Sequence, residues 1–461
     1  MAENFCHNPQ VDTALEALLK TDKHVFIVGS AGTGKSTLLR YFLAQKTPWQ
    51  TVVVAPTGVA ALNVGGETIH HFLRLRPAAT KEETIRAARR AKKTKNYELY
   101  KNLDIMVIDE ISMVRADLFD MMDVFLRTVR GNKLPFGGVR LICFGDLYQL
   151  PPVVKTEELS IFTDYYQTPF FFSSDVFGQL AYKQADNLCF LQLEQIYRQT
   201  DDTFLQFLDH LRHQQLSDDD LQLANERLLT RDRLDEIDNS FIILTTTKAR
   251  AQAINLSRLQ RLSGQAVTFE ATSTGKFNPT SEPADRQLQL KKGARVMMLN
   301  NDQAGRWVNG SMGWIKQVEK DSKTVKVELD EGETVTVGPN TWEASQAVFD
   351  PISGKIEKQT IGEFRQLPLK LAWAVTIHKA QGKTFDHLII DLQNRAFADG
   401  QAYVAFSRGT SLHGLYLVRP LRRDDVHINP EITTFLDYFT GKKLQKQKRL
   451  LTKNGSQESI F

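Results

Sequence analysis

Residues 29–36 read GSAGTGKS, with the apolar run 25–28 before them and a helix-compatible stretch, 37–44, behind. No other feature of the chain restricts its fold so tightly. Glycines at 29, 32 and 34 permit a tight curl. That curl turns successive backbone N–H groups, and the N-terminus of the following helix, toward an anion. Lys35 is then placed to reach the β- and γ-phosphates of a triphosphate, and Ser36 to offer its hydroxyl to Mg²⁺. The competing reading is a glycine-rich strand–helix turn with no ligand. The Lys-Ser pair, set between a strand and a helix, argues against it.

The pattern on either side extends this unit into an α/β fold. Short branched-rich runs at 25–29, 51–56, 105–109 and 141–145 each lead into a turn or helix, which predicts a parallel sheet flanked by helices. Residues 117–126 place Leu118, Met121, Met122, Phe125 and Leu126 at helical spacing, the mark of a core face. A second alternating region begins near Leu193, with strands expected at 241–246, 387–392 and 415–418 and a helix at 248–262. Between them, 287–358 is β-patterned. Val325, Val327 and Leu329 alternate with Lys326 and Glu328, Glu331-Gly332 makes a turn, and Val335 and Val337 continue the alternation. This predicts a small barrel inserted in the second α/β region. Residues 272–285 have the composition of a loop. A chain of 461 residues exceeds the size of one core, so several domains are expected.

Composition narrows the class. Three scattered cysteines argue against a disulfide framework or a zinc site. No stretch approaches the ~20 apolar residues of a membrane span, and residues 1–19 lack the apolar segment of a secretory signal. A net charge of +4 is too mild to identify a nucleic-acid partner, but residues 86–95 (RAARRAKKTK) carry six positive charges in ten positions. A solvated helix face is the default reading of such a run, and a phosphate-backbone contact the sharper one.

Further groups suit triphosphate chemistry. IMVIDE at 105–110 ends an apolar run in two carboxylates. Asp109 suits Mg²⁺, and Glu110 suits orienting and deprotonating a water. In LICFGDLYQL, 141–150, Gln149 can sense a γ-phosphate, or be an ordinary loop glutamine. Arg198 and Arg408 each offer a planar, always-charged fork for a γ-phosphate, although either alone reads as a surface residue. In TIHKAQGKT, 376–384, Thr376, His378 and Lys379 suit nucleic-acid phosphates, while Gln381 and Gly382 can face the nucleotide. A segment touching both ligands would couple them.

Together these motifs resemble the Pif family of 5′-to-3′ DNA helicases, in the RecD/Dda-like branch of superfamily 1. GSAGTGKST at 29–37 is similar to motif I, APTGVAALN at 55–63 to motif Ia, and TIHHFL at 68–73 to the next DNA-contact motif. IDEISMV at 108–114 is similar to motif II and runs on into RADLFDMMDVFLR, which resembles the family signature. FGDLYQLPPV at 144–153, EQIYRQ at 194–199, 376–384 and AYVAFSRG at 402–409 resemble motifs III to VI.

The resemblance implies two RecA-like P-loop NTPase domains. The first spans 1–190, with a wedge insertion at about 74–101. The second spans 191–286 and 359–440, with an SH3-like β-barrel at 287–358, and 441–461 form a basic and polar tail. It implies ATP and Mg²⁺ as cofactors. Gly32, Thr33, Gly34, Lys35, Ser36 and Thr37 would surround the phosphates, and Gln10 would read adenine. Pro56, Thr57, Gly58 and His71 would line the single-strand groove with Thr376, His378 and Lys379. The implied partners are single-stranded DNA, single-strand/duplex junctions and G-quadruplex DNA, bound by a monomer. Without the long N-terminal extension of eukaryotic members, a compact bacterial or phage-type enzyme is expected, cytoplasmic and nucleoid-associated. Trp307 either stacks on a base or is buried in the barrel. A translocase that strips proteins without efficient unwinding, and an ATP-binding switch without a motor, stay open as alternatives.

Overall fold

A computed structural model of the chain describes residues 8–45, 50–76, 79–154, 156–197, 201–229, 241–277, 282–350 and 355–439. Six parallel strands form the first sheet: β1 (His24–Gly29), β2 (Thr51–Ala55), β3 (Glu67–Thr68), β4 (Ile105–Ile108), β5 (Arg140–Gly145) and β6 (Leu188–Leu193), in the order β3-β2-β4-β5-β1-β6. Val25–Val28 and Ile105–Ile108 are buried along their whole length, as strands covered on both faces must be. The helix Ala116–Arg130 buries Phe119, Met122, Phe125, Leu126 and Val129 and stops where Gly131 turns left-handed at φ 65°. It is longer at both ends than the expected 117–126.

β6 pairs with β1 from Leu188 to Leu193. The first sheet therefore runs past residue 190 and includes the point at which the second region was expected to start. Within 74–101, Thr80 and Glu83 form a capping box for the helix Lys81–Ala91. That helix buries Thr84, Ala88 and Ala91 and leaves Arg86, Arg89 and Arg90 exposed.

The second sheet has four parallel strands in the order Ala374–Thr376, Ile242–Thr245, Leu388–Asp391, Leu415–Leu417. The β-rich segment between its first two strands in the chain is wider than 287–358. Val267–Glu270 pairs with Gln287–Leu290. Thr272–Gly275, expected to be loop, is a strand at the edge of the long hairpin Asn340–Asp350/Lys355–Gln366. All four of its residues are exposed, so no burial pattern marks it. A five-stranded antiparallel sheet closes over its own core, including Val296, Ile315, Val325, Val327, Val335 and Trp307. Trp307 is buried and donates Nε1 to Asn300 Oδ1 at 3.1 Å, so of its two readings burial holds.

The two parallel sheets share one hydrophobic core. Phe207 lies 5.2 Å from Phe406 between ring centroids. The last described helix, Pro430–Phe439, returns to the first sheet, where Phe435 stacks on Phe172 at 4.3 Å and Phe439 on Phe190 at 4.8 Å.

Candidate functional site

The phosphate-loop candidate leaves the C-terminal end of β1. A Cβ on Gly29 would sit 2.7 Å from Leu193 O and from Thr33 Oγ1, and Gly32 and Gly34 both adopt φ 84°. Only glycine meets those two demands without strain. The loop is braced from inside: buried Thr33 donates Oγ1 to Ser30 O at 2.9 Å, and Lys35 Nζ donates to Gly29 O and Ser30 O at 2.8 Å each. Ser36 and Thr37 are exposed in the first turn of the helix Lys35–Ala44.

Strand order brings the other groups to the same edge. β5 lies between β1 and β4, so the ends of all three strands open onto one crevice, the usual ligand position of an open α/β sheet. Glu110 takes φ 55°, a left-handed conformation that a non-glycine residue holds only when its surroundings enforce it. Burial, and then the neighbouring Asp109 carboxylate, push its pKa up to about 7, while Lys35 and Arg408 oppose the rise. Burial also raises Asp109. A carboxylate that titrates near neutrality suits a general base.

Gln381 links Gln149 to Glu110. Gln149 is buried and donates Nε2 to Asp146 Oδ2 at 3.1 Å. Gln381, from the second half of the molecule, donates Nε2 to Gln149 Oε1 at 2.8 Å and to Glu110 Oε2 at 3.3 Å. Gly382 follows at φ 79°. Arg408 is buried, and its guanidinium is held by Val404 O (3.0 Å), Lys383 O (3.2 Å) and Ser407 Oγ (2.8 Å). Arg198 lies outside the described residues. Gln10 is engaged at both ends of its amide by Glu194: Oε1 accepts from the backbone N–H at 3.0 Å and Nε2 donates to Oε2 at 3.3 Å. Three residues past Glu194, Tyr197 N donates to Gly32 O at 2.9 Å, so this segment is tied to the phosphate loop.

The donor set fits Mg²⁺. Among the described residues no group of three or more His, Cys, Asp or Glu side chains is placed to hold a metal by itself. Mg²⁺ is commonly held by one or two protein oxygens and the substrate's phosphates. Ser36 and Asp109 are oxygen donors of that kind.

The DNA-side candidates sit at the same end of the two sheets. Pro56, Thr57 and Gly58 are half-buried after β2, and Thr57 Oγ1 accepts from Ala60 N at 3.2 Å. His71 is exposed, with Nδ1 2.5 Å from Glu67 Oε2. Thr376 caps the short helix Ile377–Ala380 through Lys379 N, leaving His378 and Lys379 exposed. Exposed Lys379 and the Gln381 that reaches Glu110 are therefore two residues apart in one turn.

Three side chains at the site were not foreseen from the sequence. Tyr403 accepts from Ala31 N at 3.2 Å and donates to Asp146 Oδ2 at 3.3 Å. Arg212 Nη2 lies 3.5 Å from Asp146 Oδ1, with its guanidinium 4.5 Å above the Tyr148 ring. The one available signal was a phenol amid the apolar run 402–406, since a buried tyrosine needs a partner for its hydroxyl.

A model of the PIF1-like helicase family matches residues 10–219. The ATP-dependent DNA helicase Pif1 of Bdellovibrio bacteriovorus is 31% identical over 440 residues, covering 94% of this chain and 92% of that protein. The chain belongs to the PIF1-like helicase family. The crystal structure of Bacteroides sp Pif1 in complex with ADP-AlF4 superposes with a TM-score of 0.83 at 34% identity, over 95% of this chain and 98% of that one. Bacteroides Pif1 bound to ssDNA gives 0.65 at 32% identity, with the same coverages. Both parallel sheets are thereby RecA-like domains of the family's fold. The chain spans 57–64% of the length of vertebrate relatives named ATP-dependent DNA helicase PIF1. No helix among the described residues is long and apolar enough to cross a membrane.

Proposed function

We propose that this chain is an ATP-dependent DNA helicase that moves 5′ to 3′ on single-stranded DNA. The observation that carries the reading is the hydrogen-bonded bridge from Gln381 to Glu110 and Gln149, because it joins a candidate DNA-contact segment to the candidate hydrolytic carboxylate across the two halves of the molecule. A nucleotide switch without a motor has no need of that connection.

In this account the phosphate loop and Lys35 bind the β- and γ-phosphates, and Glu110 orients a water and accepts its proton. Arg408, with Arg198 assigned by resemblance, meets charge that grows on the γ-phosphate in the transition state. Ser36 and Asp109 would hold Mg²⁺, which when bound would neutralise phosphate charge. Gln149 and Gln381 report the γ-phosphate to the turn bearing His378 and Lys379. Alternating grip between that turn and the Pro56–Thr57–Gly58 and His71 surface converts the cycle into a step along single-stranded DNA.

The segment 74–101, with its exposed basic helix, serves as the wedge, and the five-stranded sheet as an SH3-like barrel beside the strand. The first sheet, through Leu193, then belongs to domain 1A, and the second sheet to domain 2A. Support for junction and G-quadruplex substrates, action as a monomer, and work on nucleoid DNA in the cytoplasm is the family likeness. The test is ATP turnover with and without single-stranded DNA, for the wild type and Lys35→Ala. Strong stimulation by DNA in the wild type and loss of turnover in the variant are expected; ATP turnover in the wild type that DNA does not alter would refute the motor reading.

A further inference from the structure

The helix Gln401–Phe406 lies across the boundary between the two halves of the molecule. Its approach to the first half is close: a Cβ on Gly400 would fall 2.3 Å from Tyr148 O and 2.6 Å from Gln149 O. One helical turn later Tyr403, 4% exposed, places its hydroxyl between the phosphate loop and Asp146. Asp146 is 1% exposed and gathers four groups. Gln149 Nε2 and the Tyr403 hydroxyl donate to Oδ2, while Tyr148 N (3.2 Å) and Arg212 Nη2 (3.5 Å) face Oδ1. Burial and the Asp146 carboxylate raise the phenol's pKa, so the hydroxyl stays protonated and can donate. Its lone pair meets the N–H of Ala31, one of the loop's own backbone donors.

We propose that the Tyr403 hydroxyl is a positioning group for ATP hydrolysis. It pins the helix leading to Arg408 against Ala31 of the phosphate loop and against the Asp146–Gln149 segment, so that Arg408, Gln149 and the loop take up their places together. Separation of the two halves breaks both of its hydrogen bonds at once. The ring has a second task, to fill the core around it, which phenylalanine would perform equally well. Only the oxygen ties the three elements together. The inference rests on the ATPase reading above.

The test is Tyr403→Phe, beside Asp146→Asn and the double variant. For each, kcat and KM for ATP are measured at saturating single-stranded DNA, with ATP-binding stoichiometry and the thermal midpoint alongside. In Tyr403→Phe, kcat is expected to fall about tenfold, the effect of roughly one hydrogen bond. ATP affinity, binding stoichiometry and the thermal midpoint should stay near the wild-type values. The double variant should lose no more than the worse single one, because hydroxyl and carboxylate act as one unit. Wild-type kcat in Tyr403→Phe overturns the inference. So does a loss matched by lost binding stoichiometry, which would make the tyrosine structural, or losses that multiply in the double variant. If wild-type protein hydrolyses ATP while Tyr403→Phe matches it, this inference alone fails; if wild-type protein shows no turnover, the ATPase reading fails and takes this one with it.

Discussion

Gly400→Ala probes the joint between the two RecA-like domains most sharply. Gly400 holds φ 68°, which costs an alanine about 1–2 kcal/mol. The added Cβ would also lie 2.3 Å from Tyr148 O and 2.6 Å from Gln149 O, where ordinary contact begins at 3.4 Å. The two backbones must therefore part by about 1 Å, the difference between 3.4 and 2.3. Overpacking of this kind costs roughly a further 1–3 kcal/mol, and a 1 Å misplacement near a reacting centre can cost about 10²-fold in rate. A matched control exists in Gly264, which has φ 88° with nothing within 4 Å of its Cβ position. Gly264→Ala bears the conformational cost alone. In DNA-stimulated ATPase assays with parallel thermal melts, Gly400→Ala should lose about 10²-fold in kcat and melt below Gly264→Ala. Gly264→Ala should keep wild-type turnover. If the two variants melt alike and both turn over at the wild-type rate, the close joint at Gly400 has no part in catalysis.

Three further outcomes follow from the site and from the five-stranded sheet. Glu110→Gln should bind ATP with wild-type affinity yet hydrolyse it at least about 10²-fold more slowly, since an amide cannot accept the water's proton; nucleotide binding and single-turnover hydrolysis measured separately check this, and lost binding would contradict it. The double substitution His378→Ala with Lys379→Ala should weaken single-stranded DNA binding and flatten its salt dependence, because fewer counterions are released; a binding titration across salt concentrations with an unchanged slope would remove both from the phosphate contacts. Asp330→Ala should destabilise the five-stranded sheet by about 2–3 kcal/mol in urea unfolding. It deprives Arg295, 1% exposed and 4.7 Å from the Trp314 ring, of a carboxylate at 2.6 Å; a loss under about 0.5 kcal/mol would refute that estimate.

Most of the parallel strands were legible because they are short apolar runs, several of them buried along their whole length, and such runs leave few alternatives in sequence. Glu67–Thr68 and Ala374–Thr376, of two and three residues, were not, since so short a run carries no pattern. β6 was not, because most of its residues are only half-buried at the sheet's edge, so LCFLQL reads as the start of something new. Thr272–Gly275 was hidden for the same reason carried further, being fully exposed and held by backbone pairing to a hairpin some ninety residues away. At the site, local motifs carried the residue types. Glu110 followed from an apolar run ending in carboxylates, and Gln381 from its place beside basic residues. What no local pattern held was the meeting of Ala31, Asp146 and Tyr403. Their contact depends on how two sheets face each other, and a tyrosine within an apolar helix resembles any other core residue. Gln10 illustrates the converse: its position upstream of the loop drew attention, and the structure finds its amide engaged by Glu194.

Unwinding of paired substrates reads the motor and its polarity in one experiment. Two duplexes identical except for a 5′ or a 3′ single-stranded tail are mixed with the protein, ATP and Mg²⁺, and strand separation is followed under single-turnover conditions. Separation of the 5′-tailed duplex is expected, abolished in Lys35→Ala, with little or none of the 3′-tailed one. Preference for the 3′ tail, or no separation of either duplex by protein that shows DNA-stimulated ATP turnover, would contradict the 5′-to-3′ helicase reading.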